Sequence, residues 1–394
     1  MKIVSVDVIE IARDKRLQGM QCVICQIHTD EGISGIGETG VAIGVGGSAA
    51  ASLLKEMAPL IIGMNPLENE VIWEKLYRNT FWGIGNGAII MSGISAIDTA
   101  LWDLKGKILG LPVSVLLGGR HRTKLRAYAS QLQMGWAKEE HSAYESPEQL
   151  REACLKAVEE GYTAVKVNVL GLNRGGNRRH HLETLGYLTR DILKRAEQRL
   201  AAVRDAVGPD VDVILENHAI TDANTSLQFA KMAEPYDIMF MEEPGIPTHL
   251  DAFRRLSEKC ALPLATGERT YLRSGFLPLI SSGILSVIQP DIGNCGGVTE
   301  FKKIADMAYC YDVAVQAHVC SSPLSVAVAL QMEAAIPNFV IHEHHTTNTL
   351  PCCRALCIRD YQPVNGYFEV PDLPGFGQEL SDFALKNAKI TTIQ

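Results

Sequence analysis

The stretch Val213-Ile214-Leu215-Glu216-Asn217-His218-Ala219-Ile220 reads as a buried β-strand that ends in polar residues. Val211, Val213 and Ile214 are apolar and β-branched, and the run stops where Glu216, Asn217 and His218 arrive together. Side chains alternate along a strand, so Glu216 and His218 are expected on one face and Asn217 on the other. A carboxylate and an imidazole leaving a strand end together suit a metal ligand beside an acid or base. Taken alone, the same residues also fit the polar start of a surface loop.

The pattern recurs on both sides of this stretch. Apolar strands precede helical segments at Arg126–Leu132, Ala164–Val169, Val211–Leu215, Ile238–Met241, Leu262–Ala265, Ile284–Ile288, Val313–Ala317 and Phe339–Ile341. Strands that alternate with helices pair in parallel, and eight of them imply a closed barrel. An open doubly wound sheet would instead gather its site at one topological switch point. Ahead of this region, Lys2–Ala12 and Gln21–His28 alternate like strands of an antiparallel meander. Helical periodicity follows from Ala49 to Gly110, where SAIDTALWDLKGKILG puts Ile97, Leu101, Leu104 and Ile108 on one stripe with Gly110 as the stop. These readings divide the chain into an α+β module over 1–124, a barrel over 125–355, and a tail over 356–394 that returns to the first module.

Composition narrows the function. The 394 residues, 46% hydrophobic, are enough for a sizeable core. With 45 acidic against 37 basic residues and no basic run interleaved with aromatics, nothing draws nucleic acid. Asp7 and Glu10 interrupt the N-terminal apolar run before a signal-peptide core forms, and the apolar segment Ala88–Trp102 is too short to span a bilayer and carries Asp98. The expectation is a cytoplasmic protein without a membrane partner, whose ten cysteines are reduced thiols. Cys22 and Cys25 form a CxxC and Cys352, Cys353 and Cys357 cluster, but the spacing does not make two CxxC pairs, so packed thiols are expected rather than zinc.

Two further stretches invite functional readings. GIGETG, with Gly35, Gly37 and Gly40, matches the dinucleotide fingerprint GxGxxG, but an antiparallel hairpin precedes it and no helix N-terminus follows directly. A mobile glycine-rich loop near a cleft is the better reading. The connection Gly171–Tyr187 is unusually long and carries Arg174, Arg178, Arg179, His180 and His181, which suits a lid or subunit contact supplying positive charge, or a solvated loop.

Nearly every later strand ends in a residue that chemistry could use: Lys166 and Asn168, then Glu216 and His218, Glu242 and Glu243, Glu268, Asp291, His318 and Glu343. In a barrel these ends ring one site. Glu216, Glu242 and Glu268 are spaced 26 residues apart, one β/α unit each. Adjacent carboxylates repel unless a cation neutralises them, and all-oxygen ligation favours Mg²⁺. Each residue also has an ordinary reading: one of Glu242 and Glu243 as a structural ion-pair partner, Asp291 as a turn cap, His318 as a satisfied core histidine. Alternation separates His342 and His344 from Glu343 and His345, so these three histidines are left outside the site.

The motifs AIDTALWDLKGK, KxN at Lys166–Asn168, EEP at Glu242–Pro244, TGE at Thr266–Glu268, PDIGNCGGVTE and the final Glu343, in that order, resemble the enolase superfamily, specifically its mandelate racemase and muconate lactonizing enzyme group, across essentially the whole chain. Within it the chain is most similar to the galactonate dehydratase branch of sugar-acid dehydratases. The resemblance implies an α/β fold, a modified TIM barrel (β/α)7β with an N-terminal α+β capping domain completed by the C-terminal tail. It also implies Mg²⁺ ligands at Glu216, Glu242 and Glu268, a dyad of His318 and Asp291, and a symmetric homo-oligomer. A histidine base beside Mg²⁺ is a known pattern of the superfamily.

Two departures sharpen the expected chemistry. The first ligand of the group is usually Asp, whereas Glu216 is longer by one methylene. Racemases carry a second Lys where this chain has Asn168, which cannot abstract a proton. One-base chemistry follows: His318, oriented by Asp291, removes the proton α to a carboxylate held by Mg²⁺ and Lys166. His218 protonates the leaving β-hydroxyl, and Glu343, protonated or hydrogen-bonded, contacts the substrate carboxylate. The product would be a 2-keto-3-deoxy acid. An epimerase, a lactone cycloisomerase, or a catalytically idle sugar-acid-binding homologue are the alternatives. The sugar would be read by the segments 12–21, 40–47 and 81–87 and by the long loop.

Overall fold

The computed structural model describes residues 1–17 and 19–394, so Gln18, within the 12–21 segment, lies outside the described residues. The chain opens with strands β1 (Ile3–Ile11), β2 (Val23–Thr29) and β3 (Ser34–Glu38), then helices α1 (Gly47–Met57), α2 (Asn69–Asn79) and α3 (Ala88–Leu109). The last strand, Ala388–Ile393, completes the antiparallel sheet by pairing with β1. Its apolar face, including Val6, Val8, Val23 and Ile27, packs on Leu54, Ile72, Ile97 and Leu101 of the helices. Gly110 ends α3 in the left-handed conformation at φ 67°, as a glycine stop requires.

GIGETG is not a mobile loop. Gly35 and Gly37 lie within β3, where a Cβ on either would overlap the α3 backbone at Ala100 or Ala96. The glycines let a strand and a helix pack at backbone distance, which explains the motif without a nucleotide.

The remaining strands are β4 (Lys124–Ser130), β5 (Ala164–Val167), β6 (Asp212–Glu216), β7 (Ile238–Glu242), β8 (Leu264–Thr266), β9 (Val287–Ile288), β10 (Ala314–Val315), β11 (His342–His345) and β12 (Tyr367–Glu369), with Ala388–Ile393 as β13. Eight pair in parallel in the order β10-β9-β8-β7-β6-β5-β4-β11, and a parallel bridge between Val315 and Phe339 brings the two ends together. A helix separates each of β4 to β11 from the next, giving the expected (β/α)7β barrel. β12 adds antiparallel to β4.

The eighth strand departs from the expected Phe339–Ile341. It is His-Glu-His-His, four buried residues with no apolar signal. The strand tolerates them because each has a partner on its own side: Glu333 for His342, Ser130 and Lys166 for Glu343, Tyr162 for His344, and the Thr347 amide for His345. Among the described helices, none is long and apolar enough to cross a membrane.

The cap sits on the barrel through α3 and the loop after β9. Asp98 accepts from the Thr299 amide at 2.9 Å and hydroxyl at 2.7 Å, and Trp73 Nε1 donates to the Gly296 carbonyl at 2.8 Å. The AIDTALWDLKGK and PDIGNCGGVTE motifs therefore meet at one interface.

Candidate active site

Alternation builds the site upward from the packing layer beneath it. Tyr128, Ala164, Ile214, Phe240, Ala265, Val287 and Ile341 form one buried cluster with a residue from each of seven strand positions. Two residues further on, most of these strands present the same lumen-facing row again, now as Ser130, Lys166, Glu216, Glu242, Gln289 and Glu343, all buried. Glu268 breaks the period because Gly267 turns the end of β8 at φ 154°. A Cβ there would lie 2.6 Å from the Gln289 nitrogen.

Glu216 and Glu242 are register partners on β6 and β7, and oxygens of Glu216, Glu242 and Glu268 lie within 4.8 Å of one another. Burial, with Glu216 alongside, pushes Glu242 up to about 7, and burial raises Glu268 as well. Glu268 Oε2 is buried without a hydrogen-bond partner. Three converging carboxylates with no softer donor among them, one oxygen unsatisfied, fit a hard divalent cation.

Lys166 supplies part of the balancing charge. Its ammonium lies 2.8 Å from Glu242, 3.1 Å from Glu216 and 2.9 Å from Glu343. Burial opposes its charge, but Glu242 and Glu343 outweigh that and hold it well above the ordinary lysine range. Glu343 is hydrogen-bonded rather than protonated. Burial would raise it, yet Lys166 and His318 hold it far below the usual carboxylate range, and its oxygens also accept from Ser130 Oγ at 2.6 Å and the Val319 amide at 3.0 Å. Ionised and engaged by Lys166, Ser130 and the Val319 amide, Glu343 is the hydrogen-bonded carboxylate of the two forms expected, and it holds the lysine in the ring.

His318 Nδ1 is 2.7 Å from Asp291 Oδ2, and its Nε2 is 3.4 Å from Glu268 Oε2. Burial disfavours the charged ring, but Glu268 and the Asp291 hydrogen bond prevail and push it up to about 10. His218 joins Glu216 by a route other than strand alternation. It lies past the end of β6 in a left-handed turn (φ 48°), where its amide donates to Glu216 Oε1 at 2.7 Å. Its ring stands 3.6 Å from Glu216 and 3.3 Å from the Asn168 side chain. Burial in the barrel mouth lowers it to about 4, while the side chain keeps 37% of its surface open to the mouth. Asn217 points away, to Thr221.

Asn168 lies beyond β5 and ties down the next loop, accepting from the Gly171 amide at 2.6 Å. Glu243 leaves the ring and pairs with Arg269, which also touches Glu268 at 2.6 Å. In the long loop, Arg179 spends its donors on Glu183 and on the carbonyls of Leu170 and Leu172, so it holds the loop together instead of offering a free charge.

Neutral amides complete the ring. Gln289 Nε2 donates to Glu242 at 2.6 Å and Gln131 Nε2 to Glu216 at 3.3 Å. Charge-based reading of the sequence passes over them, although Gln289 occupies the same strand-end position as the acids. From the cap, Glu38, Thr39 and Gly40 face Asp291, His318 and Cys320 across a cleft.

Residues 149–384 match the family described as enolase C-terminal domain-like, and residues 4–118 match the mandelate racemase / muconate lactonizing enzyme N-terminal domain. A D-galactonate dehydratase of Pectobacterium atrosepticum is 33% identical over 365 residues, covering 91% of this chain and 88% of that protein. A solved enolase superfamily member from Salmonella Typhimurium superposes at a TM-score of 0.96 with 49% identity, covering 100% of both chains. The 3,6-anhydro-D-galactonate cycloisomerase of Zobellia galactanivorans superposes at 0.83 with 28% identity, covering 99% of this chain and 100% of that one.

Proposed function

Since this chain belongs to the enolase superfamily, in its mandelate racemase / muconate lactonizing enzyme group, and is an enzyme of the hydro-lyase type, we propose that it is a Mg²⁺-dependent dehydratase of a sugar acid, an aldonate or aldarate such as galactonate. The reading rests above all on the placement of two histidines. His218 follows β6 and His318 follows β10, strands four places apart in a ring of eight, with the three glutamates between them. Groups on opposite walls suit removal of a proton from one face of a substrate and delivery of a proton to the other.

Glu216, Glu242 and Glu268 would hold Mg²⁺, which would supply divalent charge against the developing enediolate and offset the glutamate charge that raises His318. Lys166, kept charged by Glu242 and Glu343, donates to the substrate carboxylate. Glu343 anchors that lysine. Asp291 fixes His318 Nδ1, leaving Nε2 to take the α-proton. As the Cβ–O bond breaks, His218 gives its proton to the hydroxyl, which leaves as water, and the enol tautomerises to the 2-keto-3-deoxy acid. His218 is neutral in the resting site; the negative charge of the bound substrate beside it raises its proton affinity, so that it takes up a proton from solvent before elimination and holds it for the leaving hydroxyl. Asn168, in the place of a second base, disfavours two-base epimerisation.

Proton NMR of the reaction in D₂O tests the proposal. Dehydration yields a keto acid. The likeness to a cycloisomerase supports a second reading, in which the product is an isomer of unchanged mass. α-Deuterium together with inverted configuration at the α-carbon, and no keto acid, indicates epimerisation.

A further inference from the structure

The barrel is thinnest where it closes. β10 pairs with β9, β11 pairs with β4, and among the described residues β10 meets the segment entering β11 through a single ladder bridge, Val315–Phe339, beside which the Asn338 side-chain amide donates to the Val313 carbonyl at 3.0 Å. Beyond that bridge the Ala317 amide points at the seam with no strand carbonyl to receive it, and a buried amide needs an acceptor. Glu333, in the last turn of the helix Pro323–Ala334, provides one: its Oε1 accepts from the Ala317 amide at 3.0 Å. Its Oε2 lies 2.6 Å from His342 Nδ1, and both side chains are 0% exposed.

Ala317 precedes His318, and His342 precedes Glu343. One carboxylate outside the lumen therefore grips the two backbone segments that carry the proposed base and the anchor of Lys166. On the lumen side Glu343 Oε2 accepts from the Val319 amide at 3.0 Å, so the same seam is held from within as well. A sealed carboxylate–imidazole contact adds little stability over apolar packing, and Ala329 and Leu330, one turn back on the same helix, are apolar. Geometry is the better reason for an acid here.

We propose that Glu333 is a positioning residue, stitching the open seam of the barrel through the Ala317 amide and His342 so that His318 and Glu343 keep their places. The catalytic half of this proposal rests on the dehydratase reading; the structural half does not.

Two readouts on Glu333→Ala and Glu333→Gln separate them. In amide-exchange mass spectrometry, the segment Val313–Val319 should exchange about tenfold faster or more in Glu333→Ala, while Glu333→Gln, which keeps an acceptor oxygen, stays near wild type. In kinetics, Glu333→Ala should lose about tenfold or more in kcat with KM within about threefold, and Glu333→Gln should recover most of it. Native exchange in folded Glu333→Ala, or Glu333→Gln no better than Glu333→Ala, overturns the proposal. Should Glu333→Ala not fold, His342→Phe removes one arm of the clamp and should raise exchange of the same segment; unchanged exchange again overturns it. If the wild type converts no sugar acid, the dehydratase reading falls and the exchange result alone decides the seam.

Discussion

Glu216 and Glu242 stand opposite each other in the β6–β7 ladder, two buried carboxylates whose strands leave them no way apart. Lys166 answers part of that charge, and the proposed Mg²⁺ would answer the rest. Addition of Mg²⁺ to chelated protein should raise Tm, by about 2.7 kcal/mol of stability at one hundred times the dissociation constant. Glu242→Gln removes a like charge and a ligand together, so it should weaken the Mg²⁺-dependent rise while leaving metal-free stability equal or higher. A calorimetric titration that shows the full rise in Glu242→Gln would exclude Glu242 as a ligand.

Lys166→Met leaves Glu216, Glu242 and Glu343 buried around an apolar side chain. Breaking one member of a buried pair costs about 3–5 kcal/mol, so the metal-free variant should unfold at markedly lower denaturant. Mg²⁺ should restore part of the loss, because it replaces the missing charge. Activity should fall by about a hundredfold or more even when the variant is folded and loaded, since a donor to the substrate carboxylate is gone.

His318 gives metal-free protein a pH signature. Against the pull of burial, Glu268 and the Asp291 hydrogen bond push it up to about 10, above the ordinary histidine value of 6.5, so the stability it contributes is fully present below pH 6.5 and is lost as pH rises through about 10. His318→Asn should flatten that alkaline decline. Chemical denaturation across this window measures it, and an equally steep decline in the variant would remove His318 as its cause.

How far the sequence could be read follows from how the barrel is built. Strands β5, β6 and β7 show as apolar runs because their walls are covered on both sides, and Lys166, Glu216 and Glu242 mark the points where the lumen turns polar. β11 hides for the opposite reason: its inward side faces the lysine and its outward side meets Glu333 and Tyr162, so no apolar period survives in His342–His345. Alternation paired Glu216 with His218 although a left-handed turn brings them together, because φ at His218 leaves no local signature. Gln131 and Gln289 carry no such mark, because an amide has no charge to show it as a partner of an acid.

His218→Asn divides the proposed reaction at its midpoint. The variant should still exchange the substrate α-proton with D₂O through His318 and should lose water at least about a hundredfold more slowly. Unchanged dehydration would leave His218 as a substrate contact and require another acid.

The most direct measurement is a screen of aldonic and aldaric acids, galactonate among them, with Mg²⁺-loaded wild-type protein, read as formation of a 2-keto-3-deoxy acid. Dehydration requires keto-acid product from at least one of these acids and none after His318→Asn. Complete recovery of every acid as itself, an epimer or a lactone would contradict it.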